Sequence, residues 1–597
     1  MRKIFVSLTF TFLVVAATAT TCEVPLLQNV YGRKAVTSLN GEWKYIIDQQ
    51  EMGYYGYRRD PIPWGFFNDK KATNPSDLVE YDFDMARRMD IPGDWNTADS
   101  QLFFYEGNVW LRKTFNFQPK KDKRVLLYFG AVNYHSIVFI NGKEAGQHTG
   151  GFTPFNFDIT HLLKDGKNSL VVKADNKRHI DNVPTQVFDW WNYGGITRDV
   201  MLVEVGQTYL ADYSIRLTKG NSRSIDVAVQ LNDGKAGETV TMAIPELKVS
   251  ATLTTDALGR ASAAIKARPE LWSPESPKLY EVVLVHRGDT TRDEIGFRTI
   301  EAKGRQILLN GKPVFLKGAC MHDETPFRQG RIRNAEEART LLQWAKQMGC
   351  NFLRLAHYPH NELTVREAER MGIMLWEEIP CYWAISWDNE QTYKNAETQL
   401  TEMISRDKNR AATVIWSVAN ETPHGDSRDR FLSRLIECVR RHDDSRLVSL
   451  AMEVLSAKDY VNRLKDNLHS LVDVVSFNQY VGWYRDVHDA PKMKWVIPYE
   501  KPIIVTEFGG GALANCHGPK EQRWTEEFQE ELYRQNLAML SKIEGLSGLA
   551  PWCLVDFRSP RRPLDGVQDY FNRKGLISEK GERKKAFYVL REYYKGI

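Results

Sequence analysis

Two β-sandwiches followed by a (β/α)8 TIM barrel make up the architecture this sequence predicts, and three observations predict it. Residues 38 to 206 are dense in short alternating strands. Residues 208 to 299 continue as shorter, less aromatic strands. After Lys303 the pattern changes to strands alternating with helical stretches and keeps doing so to the C-terminus.

Taken in order, Met1-Arg-Lys, the apolar run Ile4 to Ala17 and the small-residue stretch ending at Cys22 have the layout of a secretory leader, assigned to residues 1–21. The run is too short to span a membrane stably. Cleavage after Ala19 gives a soluble exported protein, periplasmic or secreted; a lipid on Cys22 is the alternative, for which Ala19-Thr20-Thr21 is a poor match. Residues 22–207 form the first sandwich, with strands such as Arg124-Val-Leu-Leu-Tyr-Phe-Gly130 and a hairpin signal at Asn141-Gly142. Residues 208–301, closing on Leu271-Trp-Ser-Pro-Glu-Ser-Pro-Lys-Leu-Tyr280, suit one immunoglobulin-like sandwich and carry no evident chemistry. In residues 302–597, Val314-Phe-Leu-Lys-Gly318 precedes a helix over 335–348, Phe352-Leu-Arg-Leu355 one over 363–370, and Ile373-Met-Leu-Trp376 one over 393–408. Val474 to Phe477, Ile503 to Thr506 and Leu546 to Leu549 continue the series.

Composition narrows the function. Of 597 residues 42% are hydrophobic and 26% charged, with a formal charge of only +4, so nothing electrostatic argues for nucleic acid. The 16 tryptophans suit a sugar-binding surface and a large core equally. The seven cysteines are scattered singly, without CxxC or His/Cys spacing, and indicate neither a metal site nor a disulfide framework.

Chemistry concentrates at two strand ends. Val414-Ile-Trp-Ser-Val-Ala-Asn-Glu421 runs apolar and stops at Asn420-Glu421; Pro502-Ile-Ile-Val-Thr-Glu507 runs apolar into one glutamate and then glycines. Counting strands, Glu421 closes the fourth and Glu507 the seventh, both at the carboxyl face where barrel sites are built. One carboxylic acid and one carboxylate facing each other are what glycoside hydrolysis needs. His322 and His357 end the first and second strands and would face a sugar, though isolated histidines are more often structural. Arg354 could orient a carboxylate through charged hydrogen bonds, Trp552 after the eighth strand could be a sugar platform, and Arg558, Arg561 and Arg562 form a basic loop nearby.

Trp416-Ser-Val-Ala-Asn-Glu421, Ile503-Ile-Val-Thr-Glu-Phe-Gly509 and Asn351-Phe-Leu-Arg-Leu-Ala-His-Tyr-Pro359 resemble the signature segments of family 2 glycoside hydrolases, the β-galactosidase, β-glucuronidase and β-mannosidase family, with Leu355 where a small residue is usual. The resemblance runs from about residue 38 to the C-terminus. It implies that the first domain is a jelly-roll sandwich, through Leu39-Asn-Gly-Glu-Trp43, Gly150 to Asp158 and Trp191-Asn-Tyr-Gly-Gly-Ile196. It also implies a retaining mechanism with Glu507 as nucleophile and Glu421 as acid/base, Asn420 on the sugar 2-hydroxyl, Tyr484 beside the nucleophile, and Asp158 reaching into the site from the N-terminal domain. Asn572 and Lys574 match the Asn-x-Lys pair that binds the uronate carboxylate in that family's β-glucuronidases. The function expected is therefore an exo-acting β-glucuronidase on a glucuronide-terminated glycan or conjugate. A β-galactosidase or β-galacturonidase of the same family is the alternative, and a silent carbohydrate-binding protein a remote one. No cofactor or metal is implied, and a homo-oligomer is left open. The loops Ile379 to Asp388 and Thr422 to Arg428 are short, which predicts an open mouth flanked by Tyr382, Trp383 and Trp387.

Overall fold

In a computed structural model the described residues are 23–456 and 460–597, so the leader assigned to residues 1–21 and the lipid alternative at Cys22 lie outside them. The first domain packs a six-stranded antiparallel sheet against a four-stranded one, over a core that includes Trp43, Leu111, Leu127, Phe129 and Val172. Its hairpin between His135–Ile140 and Lys143–Thr149 turns at Asn141 and Gly142, both left-handed (φ 52° and 81°), the twist that a two-residue loop between such strands requires. The second domain is a sandwich of three and four antiparallel strands around Ile225, Val227, Met242 and Leu284. Its alternation of buried and exposed residues is that of sheets with one solvated face.

The barrel strands are β1 (Leu316–Lys317 and Cys320–Met321), β2 (Phe352–Leu355), β3 (Met374–Glu378), β4 (Thr413–Asn420), β5 (Leu447–Met452), β6 (Val475–Asn478), β7 (Ile503–Glu507) and β8 (Leu546–Leu549). All neighbours pair in parallel, and the two pieces of β1 close the ring, one on β8 and the other on β2. Every residue of β4 and β7 is buried, as expected where helices cover the outer face and side chains fill the interior. The helices α1 (Ala335–Gln347), α2 (Glu362–Met371) and α3 (Glu390–Asp407) each start at an asparagine, Asn334, Asn361 or Asn389, whose side chain accepts a first-turn N–H. The strand ends therefore stand at one rim, with Glu421 after β4 and Glu507 ending β7.

The N-terminal domain seals one side of that rim. Arg198 donates to the Pro359 carbonyl at 2.7 Å and lies 3.2 Å from Asp323, Tyr134 bonds Asn395 at 2.9 Å, and Trp190 packs into the barrel's own core cluster. The immunoglobulin-like domain is held at the barrel's other end, where Arg298 donates to the carbonyls of Ala411 and Thr413. No helix among the described residues is long and apolar enough to cross a membrane.

Candidate active site

Glu507 lies buried at the end of β7 between two donors. Arg354 Nη1 reaches its Oε1 at 2.7 Å, and the Tyr480 hydroxyl donates to its Oε2 at 2.6 Å. Arg354, fully buried on β2, is itself fixed by Glu378 at the end of β3 (2.9 Å) and by Asn420 Oδ1 (2.6 Å). Despite its burial, Glu378 is held at about 2 by that guanidinium, so a permanent ion pair aims Arg354 at Glu507. Burial and then the facing Glu421 charge push Glu507 up to about 8, against the pull of Arg354 and Tyr480.

Glu421 stands opposite. Its backbone is left-handed (φ 49°), which turns the side chain out of the strand and into the mouth. Trp383 Nε1 donates to Oε2 and Asn478 Nδ2 to Oε1, each at 3.0 Å. Asn420 accepts from Arg354 and from Asn478 through Oδ1, so its amide orientation is set and its Nδ2 is left buried without a partner among the described residues. A buried, oriented, unspent donor one residue from Glu421 is available to a substrate hydroxyl.

The remaining residues divide. His357 binds Glu378 at 2.8 Å through Nδ1, with Nε2 3.8 Å from Glu507, and its ring stacks on Trp552 at 4.8 Å. His322 binds the Tyr358 hydroxyl and stacks on Phe557 at 3.9 Å. Burial lowers both histidines, so they are neutral rims of the site and not acids.

Lys574 is 4% exposed, and its ammonium sits 5.4 to 5.6 Å from the ring centres of Tyr480, Trp483 and Tyr484, with no carboxylate in ion-pairing range among the described residues. Burial and then Arg562 bring it down to about 8. Asn572, on the short strand Phe571–Asn572, lies beside it and 3.4 Å from Asp189. Asp189 also accepts from Ser559 at 2.5 Å and pairs with Arg562.

Two expected placements are corrected. Tyr484 is not the tyrosine that bonds the nucleophile: it is 65% exposed and forms a wall around Lys574 and of the cleft beside Glu421, while Tyr480, two residues past the end of β6, bonds Glu507. The turn Tyr480-Val-Gly-Trp carries the chain away from the strand axis before Tyr484 is reached. Asp158 is not in the mouth either. It ends the strand Phe155–Asp158 in the jelly roll, bonded to Thr160 at 2.5 Å and to Arg124 at 3.3 Å. The N-terminal carboxylate that does reach the mouth is Asp189, immediately before Trp190 and Trp191. Sequence reasoning also passed over Glu378 and Asn478, although each ends an apolar barrel strand in the same way as the two glutamates.

Beyond Glu421 opens a cleft of about 440 Å³ lined by Trp383, Pro423, Met452, Glu453, Tyr480 and Arg485 among others, within the usual range for small-molecule sites. Among the described residues no group of histidine, cysteine or carboxylate side chains is arranged to hold a metal ion.

Comparison with known proteins agrees with this geometry. Residues 36–206 match the sugar binding domain of glycosyl hydrolases family 2, residues 208–298 the family's central model and residues 300–597 its TIM barrel domain. A Formosa agariphila protein provisionally named a beta-glucuronidase is 29% identical over 571 residues, covering 85% of this chain but only 66% of that protein. The Streptococcus agalactiae beta-glucuronidase is 28% identical, covering 89% of this chain and 95% of the relative. The solved structure of an uncultured Clostridium sp. beta-glucuronidase superposes with a TM-score of 0.81 at 27% identity, covering 96% of this chain and 100% of that one.

Proposed function

We propose that this chain, which belongs to glycosyl hydrolase family 2, is a retaining, exo-acting β-glucuronidase. The observation that carries the proposal is the position of Lys574. A buried ammonium without a carboxylate partner is a costly feature in a folded protein, and here it shares Tyr480 with Glu507: the hydroxyl of that tyrosine bonds Glu507 while its ring faces the ammonium. A sugar placed with its anomeric carbon at Glu507 therefore has a cation ready for an anionic substituent, and the C6 carboxylate of a uronic acid supplies one. Asn572 adds an amide donor.

The reaction follows from the two carboxyls. Glu507, ionised with Arg354 and Tyr480 spreading its charge, attacks the anomeric carbon while Glu421 protonates the departing oxygen. Glu421 then takes a proton from water, which releases the sugar from Glu507 with its configuration retained. Burial and the Glu421 charge raise Glu507, and positive charge developing at the anomeric carbon favours the ionised form that attack needs. The unspent Asn420 Nδ2 supports its assignment to the 2-hydroxyl, a contact that strengthens as the ring flattens.

The carboxylate pocket serves a galacturonide as well as a glucuronide, since these differ only at C4. The test is a panel of nitrophenyl β-glucuronide, β-galacturonide and β-galactoside with the purified enzyme. The glucuronide should be cleaved fastest, and a preference for the galactoside overturns the proposal. The leader-like N-terminus supports export, as periplasmic or secreted protein, as part of the same reading.

A further inference from the structure

The cleft on the Glu421 side is where a leaving group must sit, because the acid protonates the departing oxygen. Trp383 forms its inner wall and bonds the acid directly, Nε1 to Oε2 at 3.0 Å. It is fixed on several sides. Its backbone is left-handed (φ 56°), its N–H donates to the Asn420 carbonyl at 3.1 Å, and its ring lies 4.4 Å from that of Tyr382. The Arg561 guanidinium stands 5.1 Å from the indole centre, on an exposed side chain that makes no ion pair among the described residues. A cation held against an indole draws electron density from the ring and makes its N–H a stronger donor. The neighbouring basic side chains are occupied otherwise, Arg558 by Gln329 and Arg562 by Asp189.

We propose that Trp383 and Arg561 are positioning residues for the general acid. Trp383 holds the Glu421 carboxyl toward the leaving-group cleft and stabilises the carboxylate left after proton donation, and Arg561 strengthens that bond through the ring. The pair matters most for leaving groups that cannot depart unprotonated, the alkoxides of sugars and other alcohols, and least for acidic phenols. The inference rests on Glu421 being the acid/base, and it does not depend on which sugar occupies the other side.

The experiment is a leaving-group series, run on whichever glycone the wild type cleaves fastest, with Trp383→Phe, Arg561→Gln and Arg561→Lys. Trp383→Phe keeps a ring and removes the donor. It should lower kcat/KM about tenfold more for alkyl than for dinitrophenyl leaving groups. It should also raise the alkaline limb of kcat, which reports the substrate complex, by about one pH unit, the loss expected for one bond to a charged acceptor. Arg561→Gln should act in the same direction by a smaller factor, and Arg561→Lys should restore most of it. An equal loss for every leaving group with an unmoved limb overturns the proposal. Should Trp383→Phe fail to fold, the Arg561 pair carries the test, and Gln and Lys variants that behave alike overturn the part played by the charge. Glu421→Ala is the control: if it shows no added dependence on the leaving group, the acid/base assignment itself has failed, a different outcome from failure of the positioning pair.

Discussion

Replacing Lys574 by methionine should make the protein more stable and a poorer glucuronidase at once. The ammonium falls from its ordinary 10.5 to about 8 on burial, so keeping it charged at neutral pH costs on the order of 3 kcal/mol. Three rings at 5.4 to 5.6 Å return part of this. At that distance, near the limit of useful cation–π attraction, about 1 to 2 kcal/mol in total is reasonable. Methionine fills a similar volume without the charge, so a net gain of about 1 to 2 kcal/mol is expected at pH 7. The sign with pH follows. Below about 8 both folded and unfolded chains carry the charge and the cost is full. Between 8 and 10.5 the folded protein has released a proton that the unfolded chain keeps, so wild-type stability from this group rises with pH and the advantage of the variant shrinks. Denaturant midpoints at pH 7 and pH 9.5 measure both. In the same variant kcat/KM for the glucuronide should fall on the order of a hundredfold, about 2 to 3 kcal/mol for a charge-assisted contact, while galactoside rates change little. A variant that is less stable at pH 7 and retains its glucuronidase activity refutes the reasoning.

Other expectations follow from the same geometry. Glu507→Ala should abolish turnover, whereas Glu421→Ala should still be glycosylated by substrates whose leaving groups need no proton; full activity in either variant contradicts the assignment. Tyr480→Phe removes a hydrogen bond to the nucleophile and should lower kcat by about 10- to 100-fold, while Tyr484→Phe should stay within about twofold, as measured by steady-state kinetics on one aryl glucuronide. With only residues 379–389 between β3 and α3, no long lid is inserted at that point, so glucuronic-acid-terminated oligosaccharides should do better relative to aryl glucuronides than they do with a relative that carries one there; a large advantage for the aryl substrate over every such oligosaccharide contradicts this. Protein purified from its native host should begin near Thr20 to Cys22, and intact-mass measurement finding Met1 there, or a diacylglycerol on Cys22, decides against the soluble exported form.

The parts of the site carried by regular elements were the legible ones. An apolar strand that ends abruptly in Asn420-Glu421 or Glu507 declares both its burial and which end faces the mouth, because a parallel barrel puts all carboxyl ends on one rim. Arg354 was legible for the same reason, as an arginine in a wholly buried strand must have a carboxylate to meet. Loops have no such period. Gln479-Tyr-Val-Gly-Trp-Tyr484 offers two tyrosines four residues apart, and only the turn after β6 decides that Tyr480 meets Glu507 while Tyr484 stays largely in solvent. Asp158 and Asp189 pose the same difficulty at longer range. Which of them reaches the barrel depends on how the jelly roll docks, through contacts such as Ser559 to Asp189 that join residues 370 apart in the chain.

The central claim, that Glu507 attacks a uronic acid held by Lys574, is tested most directly by trapping. Incubation with a 2-deoxy-2-fluoro-β-glucuronyl fluoride, digestion and peptide mass spectrometry should find a fluoroglucuronyl ester on Glu507 and nowhere else, formed much more slowly in the Lys574→Met variant. An ester on another residue, or no ester while the enzyme turns over glucuronides with inverted configuration, contradicts the account.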